Sequence, residues 1–412
     1  MREISSCEVC GAGNLINALN LGEHPLQDDL VPIGDKRSCQ KYALEVLFCD
    51  RCKTAHLRWQ LDKERLFQPG YTHRSHQTKD VLDGMEDLVN AAELHYGLVK
   101  GRKVLDIGCN DGSLLSVFAR RGAATFGIEP TEAATEACSK GHTVWQRFFA
   151  KSTAEKFLSE FGFPDLITFT NVFAHIEDLP ALIEAVRVLL KPDTMVIIEN
   201  HYLGSVIERQ QFDTFFHEHL RTYSYTSFLH MSRTLGMYVS WAMFPKRYGG
   251  NIRVFLKHGS HSGYQPFIDK EKDFAFALAG LNRQIKEWKK NKRAQILAET
   301  EFHGFIIAPI GAVALPARAP LLISMLGLDH NHISAVYQID GSKKIGHYVP
   351  GTRIPILSDA NYPFERSIPD TPLLNMAWHI RDEIEARWRG MGFRGRFIQM
   401  ISAQDFADAA VA

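Results

Sequence analysis

Three places in this chain carry residues whose types and spacing can do chemistry. They are the cysteine pairs Cys7-x-x-Cys10 and Cys49-x-x-Cys52, the glycine turn in KVLDIGCNDGSLL (103–115), and the histidine-rich run FDTFFHEH (212–219). Each C-x-x-C spans a tight turn that aims both sulfurs at one point, so the two pairs together make a tetrahedral thiolate site for zinc. Thirty-eight residues separate Cys10 from Cys49, longer than a zinc ribbon, so a loop must cross back. A redox pair or unrelated buried cysteines are the alternatives. With four protein ligands no position is open to substrate, and the ion's role is structural. Cys39, Cys109 and Cys138 read as packing residues.

In the glycine turn, Gly108 and Gly112 are four apart, which does not fit the G-x-G-x-x-G that seats a pyrophosphate. The turn instead offers close backbone approach at Gly108 and an acid, Asp106, on the strand. Glu129, ending ATFGIEP, can accept hydrogen bonds from the two hydroxyls of a ribose. Adenosine without pyrophosphate, as in S-adenosylmethionine, suits this set. The bland alternative is glycine that merely permits helix-on-sheet packing. Asn171 closes DLITFTN, where ligands bind in open α/β sheets; a purely structural asparagine is its alternative. His217, Glu218 and His219, with His175 in NVFAHIED, make an acid/base set, metal ligands or structural histidines. On an extended segment His217 and His219 would share a face. A histidine is suited to removing a proton beside a carbonyl near neutral pH.

The elements that must position these residues follow from the hydrophobic pattern. Apolar residues Val81, Leu82, Met85, Leu88, Val89 and Ala92 recur at helical spacing over 81–98 and lead into the strand KVLDIG. Strands and amphipathic helices then alternate through ATFGIE, TVWQRFF, DLITFTNV, the helix DLPALIEAVRVLL and MVIIEN, which predicts a parallel sheet covered on both faces. After Asn200 the aromatic- and histidine-rich sequence reads as an insertion near the sheet's end. A long helix is predicted over 272–300, and its KEWKKNKR is a solvated face. A second, shorter α/β series follows Gly304: FIIAPIG, a helix, ISAVYQID, PILS, LLNMAW, a helix over 381–390, and RFIQMIS.

With 412 residues, 45% of them hydrophobic, two or three domains can each bury a core. The 47 basic and 47 acidic side chains cancel, so no global field draws the protein onto nucleic acid or membrane, and a small-molecule ligand is expected. The first residues, MREISSCEVCGAG, lack the apolar core of a secretory signal, and the thiols suit a reducing compartment, so the cytoplasm is expected. The apolar stretch 305–328 carries three prolines and an arginine and reads as buried strand, turn and helix.

Taken together, the cysteine pairs, NDGSLL, GIEPT, NVFAHIEDL, FDTFFHEH, GGNIR, PGTRIPI and AWHIRDEI resemble, in order and over nearly the whole chain, the S-adenosylmethionine-dependent C-methyltransferases of deoxysugar biosynthesis. These act on nucleotide-linked 4-keto sugars. The resemblance implies an α/β chain of three parts: a small zinc-binding N-terminal module (1–80), a class I methyltransferase Rossmann-like domain (81–258) and a second Rossmann-like C-terminal domain (259–412) for substrate. It implies S-adenosyl-L-methionine held by Asp106, Gly108, Asn110, Glu129 and Asn171, with Tyr71 and Ser75 closing over it. It also implies structural zinc on Cys7, Cys10, Cys49 and Cys52. His219 matches the base that forms the enolate, Glu218 its neighbouring carboxylate, and His175 a further histidine at the reacting centre.

The chain departs from the family at several positions. Phe216 stands where the family has a tyrosine before HEH. Tyr248 replaces a histidine before GG, either restoring a phenol from another direction or filling volume. In APIGAVALPARAPLL, Gly311 remains, but Pro316 and Pro320 lack N–H donors and the family's lysine is absent, which weakens the stretch as a phosphate turn. Arg318 there is a loop residue or a charge, and His379 replaces an asparagine. Such changes fit a different enolisable acceptor, while a nucleotide-linked 4-keto deoxysugar is still the single acceptor the resemblance favours most. A different proton-driven reaction in the same pocket, an isomerisation or cyclisation, is the alternative enzyme, and an assembly partner without activity is the non-enzymatic one.

Overall fold

The computed structural model describes residues 1–67, 74–77, 79–302, 305–306 and 308–410. The chain divides into two compact units, 1–18 with 46–208 and 217–276, and 19–45 with 209–216 and 277–412. Among the described residues no helix is long and apolar enough to cross a membrane.

The first unit is built on a seven-stranded sheet. Its strands are β1 (Lys103–Ile107), β2 (Ala124–Ile128), β3 (Thr143–Trp145), β4 (Leu166–Thr170), β5 (Met195–His201), β6 (Met237–Met243) and β7 (Asn251–His258), in the order β3-β2-β1-β4-β5-β7-β6. Pairing is parallel from β3 to β5 and antiparallel at β5–β7 and β7–β6. The five strands of the alternating pattern, β1 to β5, are parallel as that pattern predicted, and the sheet is mixed because two antiparallel strands follow them. The stretch after Asn200 is therefore no mere insertion: it supplies β6 and β7, and β7 lies between β5 and β6. Every residue of β5 is buried, as a central strand with both faces covered requires. Helices Lys79–Tyr96, Ser113–Arg120 and Leu179–Val188 occupy the predicted stretches. Asp178 caps the last of them, its carboxylate accepting from the Ala181 N–H at 3.0 Å. TVWQRFF forms only the short strand β3.

The metal-binding turns belong to this unit. Residues 46–49 pair antiparallel with strand Thr54–Leu57, so the second cysteine pair sits in the hairpin connection. Strand Arg221–Thr222, just beyond HEH, adds to the other edge, with Arg221 opposite His56.

The second unit carries a five-stranded parallel sheet in the order Ile356–Ser358, Ile333–Gln338, Ile310–Val313, Pro372–Asn375, Arg396–Gln399. Helices Ala319–Leu326 and Arg381–Gly390 flank it. This is the second α/β series the sequence predicted, except that its first strand is IGAV and Gly311 lies inside it. A Cβ at Gly311 would fall 2.8 Å from Leu373 Cδ1, so glycine is needed for strand packing and is no part of a turn.

Candidate functional site

At the first pair of cysteines the Cys7 carbonyl accepts from the Gly11 N–H at 2.8 Å, and Gly11 takes a positive φ of 74°. Lys53 holds the equivalent place after Cys52 with φ 55°. These two turns bring the Cys7 and Cys52 sulfurs to 3.4 Å and the Cys10 and Cys49 sulfurs to 3.5 Å, and all four lie within 4.8 Å of one another. Four sulfurs each about 2.3 Å from one ion would be separated by distances of this size, so the set fits tetrahedral zinc. His56, fully buried, approaches Cys7 Sγ with Nε2 at 3.3 Å. Of the remaining thiols, Cys109 is buried against Gly127, but Cys138 is exposed and packs no core.

The glycine turn leaves β1 with three consecutive demands on backbone geometry. Gly108, Asn110 and Gly112 have φ of 73°, 49° and 74°. A Cβ at Gly108 would fall 2.4 Å from Val172 Cγ2, so the turn after β1 and the turn after β4 are in contact. Glu129, at the end of β2, accepts from the Asn110 N–H with Oε2 at 3.0 Å and from Thr131 N–H and Oγ1 with Oε1 at 2.9 and 2.6 Å. Oε1 thus has both lone pairs engaged, and Oε2, with one donor, has capacity for a further one. Asp106 is buried on β1 and accepts from Thr168 Oγ1 at 2.6 Å. Burial pushes its carboxyl up to about 7, with Thr168 opposing the shift and Glu129 adding to it.

Ser75 donates its N–H to Asn110 Oδ1 at 3.1 Å, so the segment before helix Lys79–Tyr96 sits on the glycine turn. Tyr71 lies outside the described residues. Asn171 adopts φ 55° beyond β4, donates its N–H to the Glu199 carbonyl at 2.7 Å and accepts from Asn251 Nδ2 at 3.3 Å. These residues thus gather at the carboxyl ends of β1, β2 and β4.

Beside them lies a cluster of rings. His175 ends the short 3-10 helix Phe173–His175, and its ring centroid is 5.0 Å from that of His219. His219 is 4.8 Å from His201, which is 5.7 Å from Tyr248. His217 and Glu218 are buried, but they form a turn and not the strand on which His217 and His219 would face together. His201 escaped the sequence reading because it ends the apolar run of β5; its place at a strand's carboxyl end was the available signal. Tyr248 adopts φ 54°, a conformation costly for a tyrosine, with Arg247 Cζ over its ring at 5.0 Å.

Beneath the rings is a charge network that the sequence reading also missed. Glu199 on β5 is fully buried and accepts from Arg253 Nε at 2.6 Å and Asn251 Nδ2 at 2.9 Å, with Arg247 Nε at 3.4 Å. Burial alone would raise its pKa, but Arg247 and Arg253 outweigh it and hold the carboxyl below its ordinary range.

In the second unit, Arg318 is neither a free loop residue nor a free cation. It precedes helix Ala319–Leu326, is 5% exposed, and lies 3.6 Å from Asp213 Oδ1, while Trp378 Nε1 donates to Asp213 Oδ2 at 2.8 Å.

Three family comparisons cover most of the chain. A zinc binding domain family matches residues 7–67, a methyltransferase domain family residues 74–239, and a C-methyltransferase C-terminal domain family residues 246–401. C-methyltransferase NovU of Streptomyces niveus is 27% identical over 394 residues, 93% of this chain and 92% of that protein. A ubiquinone biosynthesis O-methyltransferase of Acinetobacter baylyi is 32% identical over 108 residues, 25% of this chain; the match spans 45% of that enzyme's length. Magnesium protoporphyrin IX methyltransferase of Synechocystis superposes with a TM-score of 0.35 at 18% identity, covering 44% of this chain and 84% of that one. The turn after β1 with Glu129 fits the adenosyl cofactor, and the four sulfurs fit zinc. The chain belongs to the S-adenosylmethionine-dependent C-methyltransferases that join a zinc-binding domain, a methyltransferase domain and a C-methyltransferase C-terminal domain.

Proposed function

We propose that the protein methylates a carbon beside the ketone of a nucleotide-linked 4-keto deoxysugar, with His219 as the base that forms the enolate. The observation that carries this reading is the ring cluster in which buried His219 and His201 meet half-buried His175, beside the turns after β1 and β4. Glu129 would hold the ribose hydroxyls, the backbone at Gly108 and Asn110 the adenosyl group, and Asp106, Asn171, Ser75 and Tyr71 the remainder. Bound S-adenosylmethionine supplies an electrophilic methyl on a sulfonium.

His219 takes the proton from the carbon next to the carbonyl, and general-base help of this kind contributes about 10²–10⁴-fold. Glu218 orients the base or raises its basicity, and His175 lies at the reacting centre. The Tyr248 phenol supplies a hydrogen bond where Phe216 has none. Apolar walls from the aromatic segment exclude water, which favours a reaction in which opposite charges cancel. The zinc site is a scaffold for residues 1–80, residues 81–258 carry cofactor and base, and residues 259–412 bind the sugar nucleotide. The working compartment is the cytoplasm.

The test combines purified protein, S-adenosylmethionine with a deuterated methyl, and thymidine-diphospho-4-keto-2,6-dideoxyhexose. A labelled methyl on sugar carbon is the expected product. Cofactor binding without labelled sugar would exclude this acceptor. His219→Asn should abolish turnover and leave cofactor affinity nearly intact; surviving turnover would remove His219 as the base.

A further inference from the structure

The segment that follows HEH alternates. His219, Arg221 and Tyr223 are spaced by two and lie on an extended run that includes strand Arg221–Thr222, so their side chains share one face. All three reach the same short piece of chain, the turn after β4. The His219 ring packs on His175 with centroids 5.0 Å apart. The Arg221 guanidinium donates to the Ile176 carbonyl from Nη1 at 2.5 Å and Nη2 at 2.7 Å, and to the Glu177 carbonyl from Nη2 at 3.2 Å. Tyr223 donates its hydroxyl to the Phe173 carbonyl at 3.1 Å. His175 is thereby bracketed, with a tyrosine bond two residues before it and an arginine fork on the next two carbonyls.

Arg221 and Tyr223 are both 0% exposed. Arg221 pairs with the carboxylate of Glu8, whose Oε2 is 3.0 Å from its Nε. Glu8 stands next to Cys7, and its Oε2 is also 3.8 Å from Nδ1 of His56, which packs on Cys7 Sγ. A buried arginine that spends its donors on backbone carbonyls fixes where those carbonyls are, because the planar fork offers one geometry.

We propose that Arg221 and Tyr223 are positioning residues that set the distance and orientation of the His175–His219 pair, and that Glu8 anchors Arg221 to the zinc-binding module. This rests on the reading of His219 as the base, but the placement of the two rings can be measured without it. Neither residue touches the substrate.

The experiment compares wild type, Arg221→Lys, Tyr223→Phe and His219→Asn as full-length, zinc-loaded proteins. Zinc content and S-adenosylhomocysteine affinity by calorimetry establish that each variant is folded. The imidazole titrations of His175 and His219 are followed by nitrogen-15 NMR, and deuterium wash-in to the 4-keto sugar nucleotide is measured with S-adenosylhomocysteine bound, so that no methyl is transferred.

Lysine is a point donor that cannot fork across two carbonyls. Arg221→Lys should therefore keep one zinc and its cofactor affinity, shift both imidazole titrations, and slow wash-in about tenfold to a hundredfold with KM unchanged. Tyr223→Phe, which loses one hydrogen bond and keeps its ring, should move the same readouts in the same direction by less. Wild-type titrations and wash-in in both folded variants would overturn the proposal. If Arg221→Lys does not fold, Tyr223→Phe alone decides on the same readouts. Wild-type wash-in by His219→Asn would remove the base assignment, yet shifted titrations in the other two would still support positioning. If the sugar nucleotide does not exchange even with wild type, the acceptor reading falls and the titrations decide.

Discussion

Gly108→Ala puts the glycine turn after β1, which is proposed to hold the cofactor, under two separable strains. Alanine at φ 73° lies in the left-handed region, at a cost of about 1–2 kcal/mol. Its Cβ would also fall 2.4 Å from Val172 Cγ2 and 3.1 Å from Cγ1, and overpacking of that kind costs about 1–3 kcal/mol. The total is about 2–5 kcal/mol, and the turn relieves part of it by moving away from the geometry that holds the cofactor. Since about 1.4 kcal/mol is tenfold, S-adenosylmethionine affinity measured by calorimetry should fall at least about tenfold.

Val172→Ala removes both γ-methyls and leaves the backbone cost in place. The double variant Gly108→Ala/Val172→Ala should therefore bind the cofactor more tightly than Gly108→Ala alone, with a coupling of about 1–3 kcal/mol across the cycle. Wild-type affinity in Gly108→Ala, or a double variant no better than the single, would refute the argument that Gly108 is needed for contact between the two turns.

Zinc should be present at one ion per chain by elemental mass spectrometry, and Cys49→Ser should lose it together with several degrees of thermal stability. Asp106 has a folded pKa raised to about 7 from the ordinary 3.8, so the folded state binds the extra proton and stability falls as pH rises from about 4 to 7. Asp106→Asn should abolish that slope and be more stabilising at pH 8 than at pH 5; an equal effect at both pH values by thermal unfolding would contradict the assignment. Tyr248→Phe should lower kcat about tenfold with cofactor affinity unchanged if its phenol acts at the carbonyl, and unchanged kcat would leave the ring as filler.

What could be read from the residues depended on whether chemistry or topology decided the outcome. Four cysteines in two close pairs have few other uses, and the glycine turn between a strand and a helix constrains its own surroundings, so both were legible. The order of the last strands was not, because Met237–Met243 and Asn251–His258 carry no mark of antiparallel pairing beyond their apolar character. Arg221, Arg253 and Glu199 were missed for a related reason: an isolated charge looks like a surface residue until its burial is known. Gly311 misled in the opposite way, since a glycine near the start of an α/β series suggests a turn, and only the Leu373 side chain across the sheet shows why it must be small.

The alternation of His219, Arg221 and Tyr223 bears on how this enzyme can be recombined with its relatives. A segment whose side chains serve one face by twos tolerates exchange of the intervening Leu220 and Thr222 more readily than any change of length, because a single inserted residue turns the next side chain to the other face. Chimeras that exchange acceptor-binding regions should keep residues 217–223 intact from one parent, with crossovers placed before His217 or after Tyr223. Libraries that allow insertions within those seven positions would consist largely of inactive members.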